Sequence, residues 1–427
     1  MRVAFLALLL APAAQAQPRQ YIDVGSPDFR PLPVAIAPLQ TDAEARAAAT
    51  EIAEVLTSDL TLSGIFDVLD PRSFLADLAE GLVASQIRFA RWADVGAEGL
   101  VKGKVRRGPG GLSAEMHLFE VRPGREALFR TVEDRSPRAI AHRFADDLVQ
   151  YYTREPGVFR TRIAALRRVA AGREIALFDV DGHGAAVAYR EPFLLALPAW
   201  RPDGAGMLVT SWRGGSPAIW ALDLARGAVR TAVTLGDLTT GGTFSPDGRR
   251  IAFTASERGN SDVWVANADG SGARRLTTDP ATDTSPTWSP DGRRIAFVSD
   301  RAGTPQIYVM DADGGRQKRL TFQGNYNQTP RWSPRGDLIA FTARDERRVF
   351  DVFTISPETG KIGRVTQDQG FTNEEPSWAP NGRLLVFASD RNRAPQLVVS
   401  TPDGSRQRVI TADPAGLAQP AWGPLPR

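Results

Sequence analysis

The chain has 427 residues, more than a single compact core holds, so two domains are expected. Its 42% hydrophobic and 24% charged residues exclude the disordered and fibrous classes. Net charge is +3, from 52 Lys+Arg against 49 Asp+Glu, and no long basic run occurs, which argues against a nucleic-acid partner. There is no cysteine, which excludes disulfides, thiolate metal sites and lipid attachment through cysteine.

The chain begins MRVAFLALLLAPAAQAQ. Arg2 supplies a positive n-region, Val3–Leu10 an apolar h-region and Ala14-Gln15-Ala16 a small-residue cleavage site. That is a signal peptide over 1–16, cut after Ala16, because the apolar run is too short to span a bilayer. No other segment approaches 18 apolar residues, so a soluble mature chain is expected. Export without disulfides fits a bacterial periplasm. Residues 17–31, QPRQYIDVGSPDFRP, are too polar for a core element and too apolar for an inert spacer. They read either as a loose terminus or as a segment that orders on binding.

Residues 32–153 predict a small α+β domain. LPVAIAPL (32–39) is a buried strand, and Thr41-Asp42 caps an amphipathic helix from about Ala43 to Leu62 that ends at Gly64. IFDVLD (65–70) is a second strand. The runs 99–105, 112–121 and 126–134 form an antiparallel meander, and Ser136-Pro137 opens a helix to about Thr153. REPGV (154–158) is the linker.

From 159 onward the sequence repeats. An aromatic residue followed by a Pro-Asp-Gly-type turn recurs at Trp200, Phe244, Trp288, Trp332, Trp378 and Trp422, at intervals of 44, 44, 44, 46 and 44. Each unit has room for four short strands, the signature of a propeller blade. The last anchor stands five residues from the C-terminus, so its unit holds only a first strand. Residues 159–190 hold second, third and fourth strands with no anchor before them. The strand around Pro420–Gly423 is therefore expected to complete that blade and close a six-bladed ring without an open edge. The anchors are expected to pack between blades, and the DADG and DVDG segments are expected to be turns, since they lack the full calcium-loop pattern.

No G-x-S-x-G elbow, H-E-x-x-H pair or phosphate-binding glycine loop occurs. His117, His142 and His183 fall on a strand, a helix and a turn, with no spacing that suggests catalysis. No enzyme and no cofactor is expected. The alternative is a metal-dependent propeller hydrolase using carboxylates at the channel mouth.

FRTRIA (159–164), DVDG (179–182), PAWRPDG (198–204) and the terminal PAWGP (420–424), with an exported α+β module before six repeats, resemble the TolB family, the periplasmic component of the Tol-Pal envelope system. The resemblance covers the whole mature chain. It implies a monomeric, non-enzymatic adaptor that supports outer-membrane integrity and envelope constriction during division. One propeller face would bind the lipoprotein Pal, and other outer-membrane lipoproteins are further candidates for that face. The segment before the first strand would engage the TolA C-terminal domain, which here falls on Tyr21, Ile22, Asp23, Val24 and Phe29. Pal binding would change whether that segment is free. Blade geometry points to the same face, because the loops entering the anchor strands lie beside the channel. Those loops offer Thr240, Asp283, Thr284, Asn327, Gln328, Asn373 and Glu374 as hydrogen-bonding contacts. Leu238 stands where the family pattern has a histidine.

Overall fold

The computed structural model describes residues 29–75, 80–257, 259–344 and 347–426. The N-terminal part is a six-stranded mixed sheet with helices packed on it. Strand β1 (Leu32–Ile36) pairs in parallel with β3 (Phe66–Val68) and β4 (Gly99–Gly108), and the short β2 (Gln40–Thr41) also joins β4. The meander continues antiparallel through β5 (Gly111–Glu120) to β6 (Arg125–Asp134).

Helix α1 (Arg46–Leu62) starts later than the sequence predicts, because Asp42 caps a preceding turn by accepting the Ala45 N–H at 2.9 Å. A short helix α2 (Phe89–Asp94), absent from the sequence-based expectation, inserts the fully buried Trp92 beneath the sheet. Helix α3 (Pro137–Thr153) begins as expected, with Pro137 in its first turn and the Ser136 hydroxyl accepting the Ala139 N–H.

Six four-stranded sheets follow. Their first strands are Leu195–Trp200, Leu238–Phe244, Asp283–Trp288, Asn327–Trp332, Asn373–Trp378 and Leu417–Trp422, numbered here as blades 1 to 6. Each first strand packs on the first strands of its neighbours, so these six line the axis of the ring. Blade 6 closes as predicted: Leu417–Trp422 pairs antiparallel with Arg162–Val169, which continues into Gly172–Asp179 and Ala186–Glu191. The anchors bridge blades, as expected. Trp288 Nε1 donates to the Thr243 carbonyl in blade 2, Trp378 Nε1 to Arg331 in blade 4, and Trp200 Nε1 to Ala421 in blade 6.

The turn after each of the first five anchors ends on a glycine with φ between 66° and 79°, a conformation that penalises any β-carbon. These turns define one face of the ring, and the loops entering the first strands define the other. The N-terminal domain sits on the turn face, and one hydrophobic cluster runs from Leu56, Leu60 and Phe144 across the junction to Val386, Leu397 and Trp422.

Candidate partner-binding face

The first strands share one local geometry. In every blade the pairing register shifts at a residue of positive φ, the third of the strand except in blade 2, where it is the fourth: Leu197, Gly241, Ser285, Thr329, Glu375 and Gln419. This bulge breaks the in–out alternation of an ordinary strand. The residue two before the positive-φ residue is turned into the blade, and the one just before it faces the channel mouth.

The consequence is a correction to three candidate contacts. Asp283, Asn327 and Asn373 occupy the inward position and are essentially unexposed. Asp283 Oδ2 accepts from Arg301 at 2.8 Å. The Asn327 amide donates to Gln306 Oε1 and to the Gln323 carbonyl, both at 2.9 Å. Asn373 donates to Asp351 Oδ1 at 3.1 Å and accepts from the Ser389 hydroxyl at 2.7 Å. Gln306 and Asp351 in turn accept from Thr321 and Thr366, two residues past the ends of the fourth strands. These groups tie the four strands of a blade together, since a buried polar atom must find its partner inside, and they are spent before any partner arrives.

Thr240, Thr284, Gln328 and Glu374 stand just before the positive-φ residue of their strands and are half-buried around the mouth. Burial pushes the Glu374 carboxyl up to about 7, and the neighbouring Glu375 and Asp390 carboxylates push in the same direction. Leu238 begins the blade 2 strand and is also half-buried.

The loops on this face carry a feature that reading the sequence for polar contacts missed. Phe322 is 71% exposed and Phe371 80%, with Phe193 and Leu194 also open to solvent, and all four lie just before a first strand. The Phe371 loop is held firmly: Asp390 Oδ1 accepts the N–H groups of Phe371 and Thr372 at 2.8 and 3.0 Å. The Arg319 guanidinium stacks 5.0 Å from the Phe322 ring. The available signal was a large aromatic inside a Gly/Asn/Gln-rich loop with no strand to bury it.

Tyr21, Ile22, Asp23 and Val24 lie outside the described residues, as does the signal segment. Phe29 is described and half-buried. It lines a cleft of about 440 Å³ on the turn face, between Ser63 and Gly64 of the N-terminal domain and Arg335, Leu338, Arg383 and Arg406 of the propeller.

Beside that cleft the two domains are tied by charge. His142 on α3 has Nδ1 2.7 Å from Asp59 on α1 and Nε2 3.5 Å from Asp181, which lies in the propeller's DVDG turn and also pairs with Arg138. Glu155 pairs with Arg335 and Arg383, and Arg406 donates to the carbonyls of Thr61 and Phe66. Asp59, His142 and Asp181 are the one group among the described residues whose donor atoms could surround a metal. With Arg138 already on Asp181, the group has its own compensating cations. His117 bridges Glu115 and Glu126 on the sheet, and His183 is exposed in its turn.

These features define a two-domain propeller protein whose buried polar groups hold the fold and whose open face carries apolar side chains. The family model described as the TolB beta propeller domain matches residues 149–426, and that of the TolB amino-terminal domain matches 20–127. A Tol-Pal system protein TolB of Anaeromyxobacter dehalogenans strain 2CP-1 is 62% identical over all of this chain and 98% of its own length. One from Myxococcus xanthus strain DK1622 is 48% identical over 49% of each chain. The crystal structure of TolB from Acinetobacter baumannii matches with a TM-score of 0.81 at 27% identity, covering 95% of this chain and 98% of that one. The chain belongs to the TolB family of Tol-Pal system proteins.

Proposed function

We propose that this protein is a non-enzymatic periplasmic adaptor, exported by removal of residues 1–16. Its loop face binds Pal and its N-terminal segment binds the TolA C-terminal domain, in support of outer-membrane integrity and constriction at division. The observation that carries the reading is the loop face itself: Phe322 and Phe371 stand exposed on a well-bonded rim around half-buried Thr240, Thr284, Gln328 and Glu374. Exposed aromatic anchors ringed by polar groups are what a protein partner buries, in a standard interface of roughly 1,600 Å². The segment around Phe29 emerges at the opposite face, so both partners are accommodated at once unless the two faces are coupled. In this reading Pal binding shifts the segment between docked and free states.

Calorimetric titration of residues 17–427 with Pal, and separately with the TolA C-terminal domain, tests the proposal, repeated on a chain starting at Leu32. Loss of TolA binding with retention of Pal binding is expected. If neither partner binds the longer chain, the adaptor reading falls, and elemental analysis for a bound metal then tests the hydrolase alternative. Identical hydrogen exchange of residues 17–31 with and without Pal would sink the coupling alone.

A further inference from the structure

The fourth residue after each inward-turned position repeats around the axis, and it is small in five blades: Ala199, Thr243, Thr287, Ser377 and Ala421. In blade 4 it is Arg331. All six positions line one cavity of about 280 Å³, to which the first strands of all six blades contribute, so it is the central channel. The small neighbours leave the lumen open, and Arg331 alone reaches into it with a long cationic side chain.

The hydrogen-bond inventory of this cavity is lopsided. Arg331 has five N–H groups, and one donates to the Pro330 carbonyl at 2.9 Å. The nearest carboxylate, Glu375, accepts the Gln419 N–H at 2.7 Å, and it attracts the guanidinium through space without forming an ion pair among the described residues. The Ser377 hydroxyl accepts the Trp422 N–H at 2.9 Å, and the Thr287 hydroxyl accepts the Trp332 N–H at 3.5 Å. Each oxygen therefore uses a lone pair and keeps its own hydrogen, which finds no acceptor among the described residues. Thr243 differs, since its hydroxyl donates to the Pro286 carbonyl. Blades 3, 4 and 5 thus turn uncommitted donors into one lumen, two hydroxyls and a guanidinium fork.

The rest of the lining mixes apolar side chains with backbone: Leu197, Pro198, Gly241, Gly242, Pro334, Pro420 and the anchor tryptophans 200, 332, 378 and 422. Charge interactions in a buried setting are stronger than in water, and a guanidinium with only a through-space carboxylate for counter-charge is costly to keep there. Burial holds the Arg331 pKa below its ordinary value, the direction expected of a cation short of counter-charge.

We propose that the channel binds a small oxyanion, held by the Arg331 guanidinium with the hydroxyls of Ser377 and Thr287. A planar carboxylate and a tetrahedral phosphate share the required chemistry, because both accept two N–H bonds from one guanidinium face. The site is independent of the partner-binding face, and its outcome leaves that reading untouched.

The test is titration calorimetry of residues 17–427 in a zwitterionic, chloride-free buffer, with inorganic phosphate in one arm and acetate in the other. Saturable binding of at least one anion in the millimolar range is expected, and the arm that saturates at lower concentration identifies the preferred shape. Arg331→Gln is expected to weaken it about tenfold or more. Arg249→Gln, which removes an exposed arginine outside the channel, is expected to leave it unchanged. Should Arg331→Gln fail to fold by circular dichroism, Arg331→Lys carries the test: it keeps the charge and loses the fork, so reduced affinity supports the site. Equal affinity in the Arg331 and Arg249 variants overturns the proposal, as does unchanged affinity in Arg331→Lys or the absence of saturable binding in both arms.

Discussion

On the turn face of the ring, Asp59, His142, Asp181 and Arg138 bury their polar groups against one another, while on the loop face Phe322 and Phe371 stand in solvent. The turn face is finished by the chain's own N-terminal domain. Its ionisable groups are paired across the junction and its apolar groups have merged into one cluster. The loop face has the same kinds of strands beneath it and, among the described residues, nothing on top. What differs is whether a covering surface is built into the described chain, and the exposed phenylalanines fit the proposed role of that face.

Charge reversal at Asp283 tests the comparison most severely, because Asp283 belongs to the loop face in sequence and to the blade interior in structure. Asp283→Lys puts an unpaired cation beside Arg301 in a site with no exposure. A loss of about 3–5 kcal/mol of stability is expected, read as a lower urea midpoint. A stable variant with impaired partner binding would restore Asp283 to the interface.

At the junction the expected loss is somewhat smaller. Asp181→Ala strips Arg138 and His142 of the propeller carboxylate they share, leaving Arg138 with Glu51 and His142 with Asp59, and about 1–3 kcal/mol is expected from the lost buried partner. If the two domains unfold separately in this variant and together in the parent, the cluster is what couples them. On the loop face the effects are expected to separate differently. Phe322→Ala and Phe371→Ala should change stability by no more than about 0.5 kcal/mol, since the rings are mostly solvated. Each should weaken Pal binding by about 2 kcal/mol if it acts as an anchor. Unchanged affinity in both would move the interface elsewhere.

The sequence carried the architecture because repeats align with themselves. The Pro-Asp-Gly turns and aromatic anchors recur at nearly constant spacing, and the truncated last unit beside the anchorless first one shows how the ring closes. The same self-alignment held an unused clue to the site. Asp283, Asn327 and Asn373 stand at one position with nearly constant chemistry, which signals a role in the fold; Thr284, Gln328 and Glu374, one residue later, vary, which signals surface. A two-residue strand period could not reveal this, because the bulge at Ser285, Thr329 and Glu375 resets the alternation. The junction cluster was invisible for another reason: Asp59 and His142 lie 83 positions apart, and only the packing of α1 on α3 brings them together. Helix α2 was missed because its six residues are too few for a helical period to be read.

The mildest expected effect belongs to Glu374, where the loop face carries a partly desolvated acid. Its carboxyl titrates near 7 in the folded protein, against an ordinary value of 4.5. Between those values the folded chain holds a proton that the unfolded chain has released, so stability falls as pH rises through that window and levels off above it. Glu374→Gln removes the dependence. Full conversion of the shift would give about 3 kcal/mol, but the side chain borders solvent, and about 1 kcal/mol is the expected gain of the variant over the parent at pH 8. At pH 4, where the folded state is neutral on this group and the unfolded state mostly so, the gain should shrink toward zero. Urea midpoints of parent and variant at the two pH values decide it. A gain of equal size at both would assign the effect to packing, and the loop face would then hold no ionisation strain for a cationic partner to relieve.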